Sequence, residues 1–284
     1  MKILATDLDR TLLPNGSWPV DENAIPLFNE WTAKQGLLVV YVTGRNLHLT
    51  EKAICEYGVR FPDILCGDVG TTIRHYENGA WSMDQGWIDH VHVMSPRWDN
   101  PAIRAALAQV SGMREQEAEH QNEFKQSYYV DHQHRETILA EVEGLIGGRF
   151  DEVLIYSFDS NNGNGLLDVL PASATKQTAL EYVAKIYDAG KDVVFCGDSG
   201  NDVFPLTAGF LGVMVRNADE QLVQQVTEAK EKNDAIQIYH AKGGFKGLNG
   251  YYVSGVLEGA YHYGLLDDTV ELATAKSSKS EDMV

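Results

Sequence analysis

Residues 3–11 read Ile3-Leu4-Ala5-Thr6-Asp7-Leu8-Asp9-Arg10-Thr11, and residues 193–202 read Val193-Val194-Phe195-Cys196-Gly197-Asp198-Ser199-Gly200-Asn201-Asp202. Each is a short apolar run, suited to a strand buried on both faces, that stops abruptly near an aspartate. Leu37 to Val42 is a third such run, ending at Thr43-Gly44-Arg45, and Ile64-Leu65-Cys66 is a fourth, ending at Gly67. Between the first and third, Ile25, Phe28 and Trp31 recur at helical spacing and Gly36 follows as a helix stop. Strands without polar alternation, joined by helices, specify an α/β fold with a parallel sheet. The strands of such a sheet open into one crevice at their carboxyl ends, so acids distant in sequence can share a site.

The pattern changes near Gly86. An Ala-rich helix is predicted over 101–110, an extended stretch over 124–130, a helix over 135–146 and a strand over 153–158, followed by the loose turn 161–165. Strands with helices to one side suggest a small α+β module inserted into the larger domain. Alternation then resumes with an apolar run over 166–170, a helix over 176–187, a strand over 213–215 and a closing helix over 251–263. The expected division is a core of residues 1–85 and 166–266, an inserted cap of 86–165 and a flexible polar tail of 267–284.

Composition excludes more than it names. The 284 residues carry 23 Lys and Arg against 41 Asp and Glu, a net charge of −18. Such a chain lacks the cations that displace phosphate counterions from nucleic acid or dock on anionic lipid. No apolar stretch reaches the length of a membrane span, and the N-terminus meets Asp7 too soon for a signal peptide, so a cytoplasmic location is expected. Cys55, Cys66 and Cys196 are odd in number and widely spaced, which predicts buried reduced thiols. His90, His92, His132 and His134 lack companion ligands at zinc spacing and read as surface residues.

Chemistry concentrates in four segments: Asp7 to Thr11, Thr43 to Arg45, Lys176, and Gly197 to Asp202. A lone aspartate after a strand is usually a cap or a turn, the reading given to Asp21 and Asp151. Several carboxylates in one crevice repel unless a cation joins them, and oxygen ligands without histidine or cysteine favour Mg²⁺. Asp7, Asp9, Asp198 and Asp202 are therefore the expected metal cluster. The same groups suit phosphoryl transfer. Asp7 would attack phosphorus, Asp9 would protonate the leaving alcohol and later activate water, and Thr43 and Lys176 would hold the phosphoryl oxygens.

At these residues the sequence resembles the haloacid dehalogenase superfamily of aspartate-nucleophile phosphohydrolases, with the insertion where a C2-type cap would stand. More narrowly it is similar to sucrose-phosphate and mannosylfructose-phosphate phosphatases. The stretches that carry this are Asp198 to Asp202, Gly212 to Ala218, Lys125 to Tyr129, and Ser254 to Gly259. The resemblance implies Mg²⁺-dependent hydrolysis of a sugar phosphate, with a disaccharide phosphate such as sucrose 6-phosphate foremost. A superfamily phosphomutase, or a receiver-like module phosphorylated on aspartate, are the competing readings. Arg10 departs from the glycine that many superfamily members carry at that turn. Gly44, Arg45, Asn46, Asp68, Asn122 and Lys125 are the candidates for binding the sugar, and core or hinge packing is the better reading of Trp87, Trp98 and Tyr128. A monomer and a cognate sugar-phosphate synthase as partner are expected, though the residues fix neither.

Overall fold

In the computed structural model, which describes residues 1–159, 162–190 and 192–267, the run that opens the chain lies at the middle of the larger of two sheets. The elements of the first half are β1 (Ile3–Thr6), α1 (Ala24–Lys34), β2 (Leu38–Val42), α2 (Leu47–Tyr57), β3 (Ile64–Gly67), β4 (Thr72–Glu77), β5 (Ala80–Met83), α3 (Gln85–Met94), α4 (Asn100–Leu107), β6 (Met113–Glu115), β7 (Gln126–Val130) and α5 (Arg135–Ile146). Those of the second half are β8 (Glu152–Asp159), β9 (Asn164–Pro171), α6 (Lys176–Ile186), β10 (Val193–Gly197), α7 (Val203–Thr207), β11 (Leu211–Met214), α8 (Glu220–Lys232), β12 (Gln237–His240) and α9 (Val253–His262).

The eight-stranded sheet runs β12-β11-β10-β1-β2-β3-β4-β5. Its strands are parallel from β12 to β3, and β4 and β5 add an antiparallel hairpin at one edge. Successive residues of each parallel strand feed opposite faces, which explains the unbroken apolar runs. Leu4, Val39, Tyr41 and Val194 pack with Phe28 and Trp31 of α1 and Leu257 of α9. Ile3, Ala5, Val40 and Phe195 pack on the other side with Leu180 and Val183 of α6 and Trp87 and Val91 of α3. Helix α2 is delimited by its caps: Asn46 accepts a hydrogen bond from the Leu49 amide, and Gly58 takes the left-handed conformation that ends it.

The smaller sheet is antiparallel throughout, in the order β6-β7-β9-β8. Ile103 and Leu107 of α4 and Ile138 and Val142 of α5 pack on Tyr128, Val130, Leu167 and Val169 of β7 and β9. Here the structure departs from the sequence reading. The run 166–170 belongs to β9, which sits between β7 and β8 in the small sheet and so extends the inserted module beyond residue 165. A five-residue apolar run carries no mark of which sheet it joins. Helix α3, assigned to the cap from the change at Gly86, packs instead into the core cluster through Trp87 and Val91. The β4–β5 hairpin and β12 were not read at all, being short and polar on one side. Cys66 and Cys196 are buried as expected, but Cys55 is exposed. Among the described residues no helix is long and apolar enough to cross a membrane. Residues 268–284 of the expected tail, and Asn161 of the expected turn, lie outside the described residues.

Candidate active site

Strand register brings the two signature aspartates together. Thr6 of β1 is paired with Cys196 of β10, and the Asp7 amide donates to the Cys196 carbonyl at 2.9 Å. The crevice lies where β1 has β2 on one side and β10 on the other, the point at which the chain's connections reverse direction. Asp7, Asp198 and Asp202 are all buried, and each offers one oxygen within 4.8 Å of the others'.

Each group is set in place by its neighbours. Asp202 Oδ2 accepts from the amides of Asp198 (3.1 Å) and Ser199 (3.3 Å), which fixes the turn after β10. Gly197 leaves room for it, since a Cβ there would stand 2.6 Å from that of Asp202. Lys176 is the first residue of α6, whose start is fixed by reciprocal hydrogen bonds between Thr175 and Thr178. Gly70, at φ +95°, lets the loop after β3 press on that start, because a Cβ there would stand 2.3 Å from the Thr175 carbonyl oxygen. The Lys176 ammonium donates to Asp202 Oδ1 at 2.8 Å and Asn201 Oδ1 at 3.1 Å, and lies 3.1 Å from Asp7 Oδ1.

Three buried carboxylates therefore share the Lys176 ammonium and, at Asp198 Oδ2, the Arg10 guanidinium 3.1 Å away, and their proton affinities follow. Burial pushes the Asp7 carboxyl up to about 7, outweighing the attraction of Lys176, and Asp202 and Asp9 push in the same direction. Asp198 is held well above the usual carboxylate range, by burial first and then by Asp202 and Asp7. Burial alone would lower Lys176, but Asp202 and Asp7 outweigh it and hold the ammonium above its ordinary value. Among the described residues Asp198 Oδ2 accepts no hydrogen bond, although it is buried, while Oδ1 accepts from Thr11 Oγ1 at 2.9 Å.

The other predicted site residues divide. The Asp9 side chain does not join the three carboxylates, contrary to the expectation that it would help hold the metal. The Arg45 guanidinium grips it in a bidentate pair, with Nε 2.8 Å from Oδ2 and Nη2 2.6 Å from Oδ1, and Asn15 donates to it as well. Burial would raise Asp9, but Arg45 overcomes this and holds the carboxyl below its ordinary value. Thr43 is buried at the end of β2, with its hydroxyl accepting from the Arg45 amide at 3.2 Å. Gly44 is exposed on the same loop.

Asn46, besides capping α2, donates to the Glu119 carbonyl of the small module at 2.8 Å, and Asn122 of that module donates to Thr71 Oγ1 of the core at 3.0 Å. These two stitch the seam between the domains. Lys125 is 3% exposed, and its ammonium stands 3.9 Å from Asp168 Oδ1, too far for a hydrogen bond. Asp68, buried and raised by desolvation against the attraction of Lys125, faces it from the core. Trp87 is buried in the core, Tyr128 in the core of the module, and Trp98 donates its indole N–H to the Glu123 carbonyl. The sequence reading gave no role to Thr11, Asn15, Asn201 or Asp168. Thr11 and Asn201 lie within the segments 7–11 and 197–202, while nothing local marks Asn15 or Asp168.

The profile of the sucrose-6F-phosphate phosphohydrolase family matches residues 1–264. A HAD-like hydrolase of Nitrosococcus oceani is 38% identical over 92% of this chain and 71% of its own length. Sucrose-phosphatase 1 of Nicotiana tabacum is 29% identical over 84% of this chain, which spans 55% of the tobacco protein. Among solved structures, the Synechocystis sucrose-phosphatase in complex with sucrose and phosphate superposes with a TM-score of 0.74 at 25% identity, covering 92% of this chain and 97% of that one.

Proposed function

The chain belongs to the sucrose-6F-phosphate phosphohydrolase family of haloacid dehalogenase phosphatases, and on that premise we propose that it hydrolyses a disaccharide phosphate, sucrose 6-phosphate first among them. The observation that carries the reading is the placement of Asp7: a buried carboxylate just past a strand end, 3.1 Å from Lys176 and clustered with the buried carboxylates of Asp198 and Asp202.

Asp7 attacks phosphorus and the bond from phosphorus to the sugar oxygen breaks, leaving an aspartyl-phosphate. Asp9 gives its proton to that oxygen, then takes one from the water that attacks the intermediate, so phosphate leaves and Asp7 is regenerated. Lys176 and Thr43 hold the non-bridging oxygens, where charge gathers as the phosphoryl group moves. Arg45 has to release Asp9 for this, and the arriving substrate anion is the natural partner for the freed guanidinium.

The donor set fits a divalent cation: the oxygens are hard, three buried carboxylates gather within 4.8 Å of one another, and the buried Asp198 Oδ2 accepts no hydrogen bond among the described residues and has the Arg10 guanidinium as its ion-pair partner at 3.1 Å. Asp7 and Asp198 would hold Mg²⁺, with Asp202 supporting them from behind because its oxygens already serve Lys176 and the turn amides. When bound, the ion supplies charge that offsets both the carboxylates and the incoming phosphate.

A phosphate cradle cannot tell one sugar from another, so selection falls to the seam, where Lys125, Asp168 and Asp68 offer charged groups to hydroxyls. The test is phosphate release from sucrose 6-phosphate, mannosylfructose phosphate, trehalose 6-phosphate and hexose phosphates, with and without Mg²⁺. Comparable rates on all of them would overturn the disaccharide assignment. Transfer of the phosphoryl group to another sugar hydroxyl, in place of phosphate release, would make the enzyme a mutase.

A further inference from the structure

Arg10 occupies the turn between the two acids of the first motif, and its surroundings aim it at the carboxylate cluster. Its backbone is held on both sides at φ 58°: the amide donates to Asn15 Oδ1 at 2.7 Å, and the carbonyl accepts from Asn217 Nδ2 at 2.6 Å. The side chain then carries Nε to 3.1 Å from Asp198 Oδ2, where the two form an ion pair. Neither atom makes a hydrogen bond among the described residues, although both are buried. Charge meets charge here without directional bonding.

This carboxylate oxygen is the one left free by Thr11, and it belongs to a residue that would hold Mg²⁺ on the reading above. The far side of the guanidinium offers another place for its charge. It lies 5.7 Å from the centre of the Trp18 ring, and its side chain is 30% exposed, so it reaches towards solvent. A guanidinium whose Nε meets the carboxylate without a hydrogen bond, and whose side chain has an outward route, is a displaceable cation.

We propose that Arg10 competes with the divalent cation for Asp198, so that its guanidinium sets how tightly this site takes the metal. Glycine at the same turn would leave Asp198 Oδ2 with no rival cation. The arginine lowers affinity and keeps the buried carboxylate neutralised until the metal displaces it.

The inference rests on the metal reading of the site, and the experiment separates the two. MgCl₂ is titrated calorimetrically, at constant ionic strength, into chelator-treated wild-type protein and the variants R10Q and R10K. Thermal unfolding is followed in parallel with and without MgCl₂. R10Q keeps the side-chain bulk and the left-handed backbone but removes the charge, so its dissociation constant for Mg²⁺ should fall by on the order of tenfold. Its metal-induced rise in Tm should exceed that of wild type, while R10K, which keeps the charge, stays within about twofold of wild type. Wild-type protein that binds Mg²⁺ while R10Q binds no tighter overturns the competition alone. R10K tightening as much as R10Q does the same, because charge would then not be the cause. Wild-type protein giving neither heat nor a shift in Tm overturns the metal reading, and the inference with it.

Discussion

Replacing Gly197 by alanine isolates the steric demand on which the cluster depends. The residue ends β10 and its φ is not positive, so alanine adds a methyl group without backbone strain. That methyl would stand 2.6 Å from Asp202 Cβ and 2.7 Å from its Cγ and Oδ2. Ordinary contact begins near 3.4 Å, so Asp202 must retreat by about 0.8 Å. Its bonds to the Asp198 and Ser199 amides, now 3.1 and 3.3 Å, would stretch past hydrogen-bond range, and the 2.8 Å bond to Lys176 would weaken. Overpacking of this kind costs about 1–3 kcal/mol. At roughly 2–3 °C per kcal/mol for a chain of this size, Tm should fall by about 2–9 °C. Phosphate release should fall further, on the order of 100-fold, because both Lys176 and Asp198 lose their anchor by nearly an ångström. Thermal unfolding and a colourimetric phosphate assay measure the two effects. The control is G200A, where a new Cβ meets nothing nearer than Gln225 Oε1 at 3.8 Å and little should change. G197A with wild-type Tm and rate would refute the claim that Asp202 is seated through this contact.

Three further outcomes are expected. Because burial places Asp7 at about 7 against an ordinary value of 3.8, the folded state keeps a proton that the unfolded chain releases. Stability from this source is complete below pH 3.8 and is lost as pH rises through about 7; Asp198 acts in the same sense. In chelator, Tm should therefore fall across that range and MgCl₂ should restore it, and a Tm that climbs with pH under chelation contradicts the assignment. Arg45→Met removes the group that holds Asp9 low, so the alkaline limb of the kcat/KM profile, where a general acid loses its proton, should move to higher pH; an unmoved limb shows that Asp9 is not the group being titrated. Lys125→Met should lower kcat/KM for a disaccharide phosphate by roughly 10–100-fold, the worth of a hydrogen bond to a charged group, while sparing p-nitrophenyl phosphate. Equal losses on both would place Lys125 in phosphate binding or folding instead.

What the sequence disclosed follows from what is local in it. An apolar run that ends at Asp7 and another that ends next to Asp198 state their own burial, and parallel-sheet geometry brings such ends together. The pairing of Thr6 with Cys196 then supplies the contact. The run at 166–170 states its burial equally well but not its partner, so β9 was assigned to the wrong sheet. Side-chain direction is less legible still. Asp7 and Asp9 alternate in the motif as though on one side of a strand, but the chain turns after Leu8 and Arg45 reaches in to take Asp9. Lys125 looks like an ordinary solvated lysine on a strand, but it is buried, with Asp168 the nearest ion-pair partner at 3.9 Å. Asp202, an expected ligand, lies in the buried cluster with Asp7 and Asp198, and its oxygens are also engaged with an ammonium and two amides, which no spacing announces.

Two carboxyl groups two residues apart are thus driven in opposite directions, and in the sense opposite to the chemistry. On the proposed mechanism the nucleophile has to be ionised, but burial raises Asp7 to about 7; the acid has to carry a proton, but Arg45 holds Asp9 below its ordinary value. Loading the crevice corrects both. Positive charge at Asp198 and Asp7 favours the Asp7 anion, and a phosphate that draws Arg45 away lets burial, the largest influence on Asp9, raise its proton affinity. An unloaded site would then be chemically quiet, and the two substrates of the reaction, the phosphate ester and later water, would meet activated groups only when the ester itself has rearranged the charges. The Arg45→Met variant bears on this directly. It should protonate Asp9 more readily in the free enzyme and so bring the pH dependence of kcat/KM, which reports the free enzyme, towards that of kcat, which reports the complex. In the wild type the two profiles should differ on the alkaline side, and in the variant they should converge. If they already coincide in the wild type, the grip of Arg45 on Asp9 is not what substrate binding undoes.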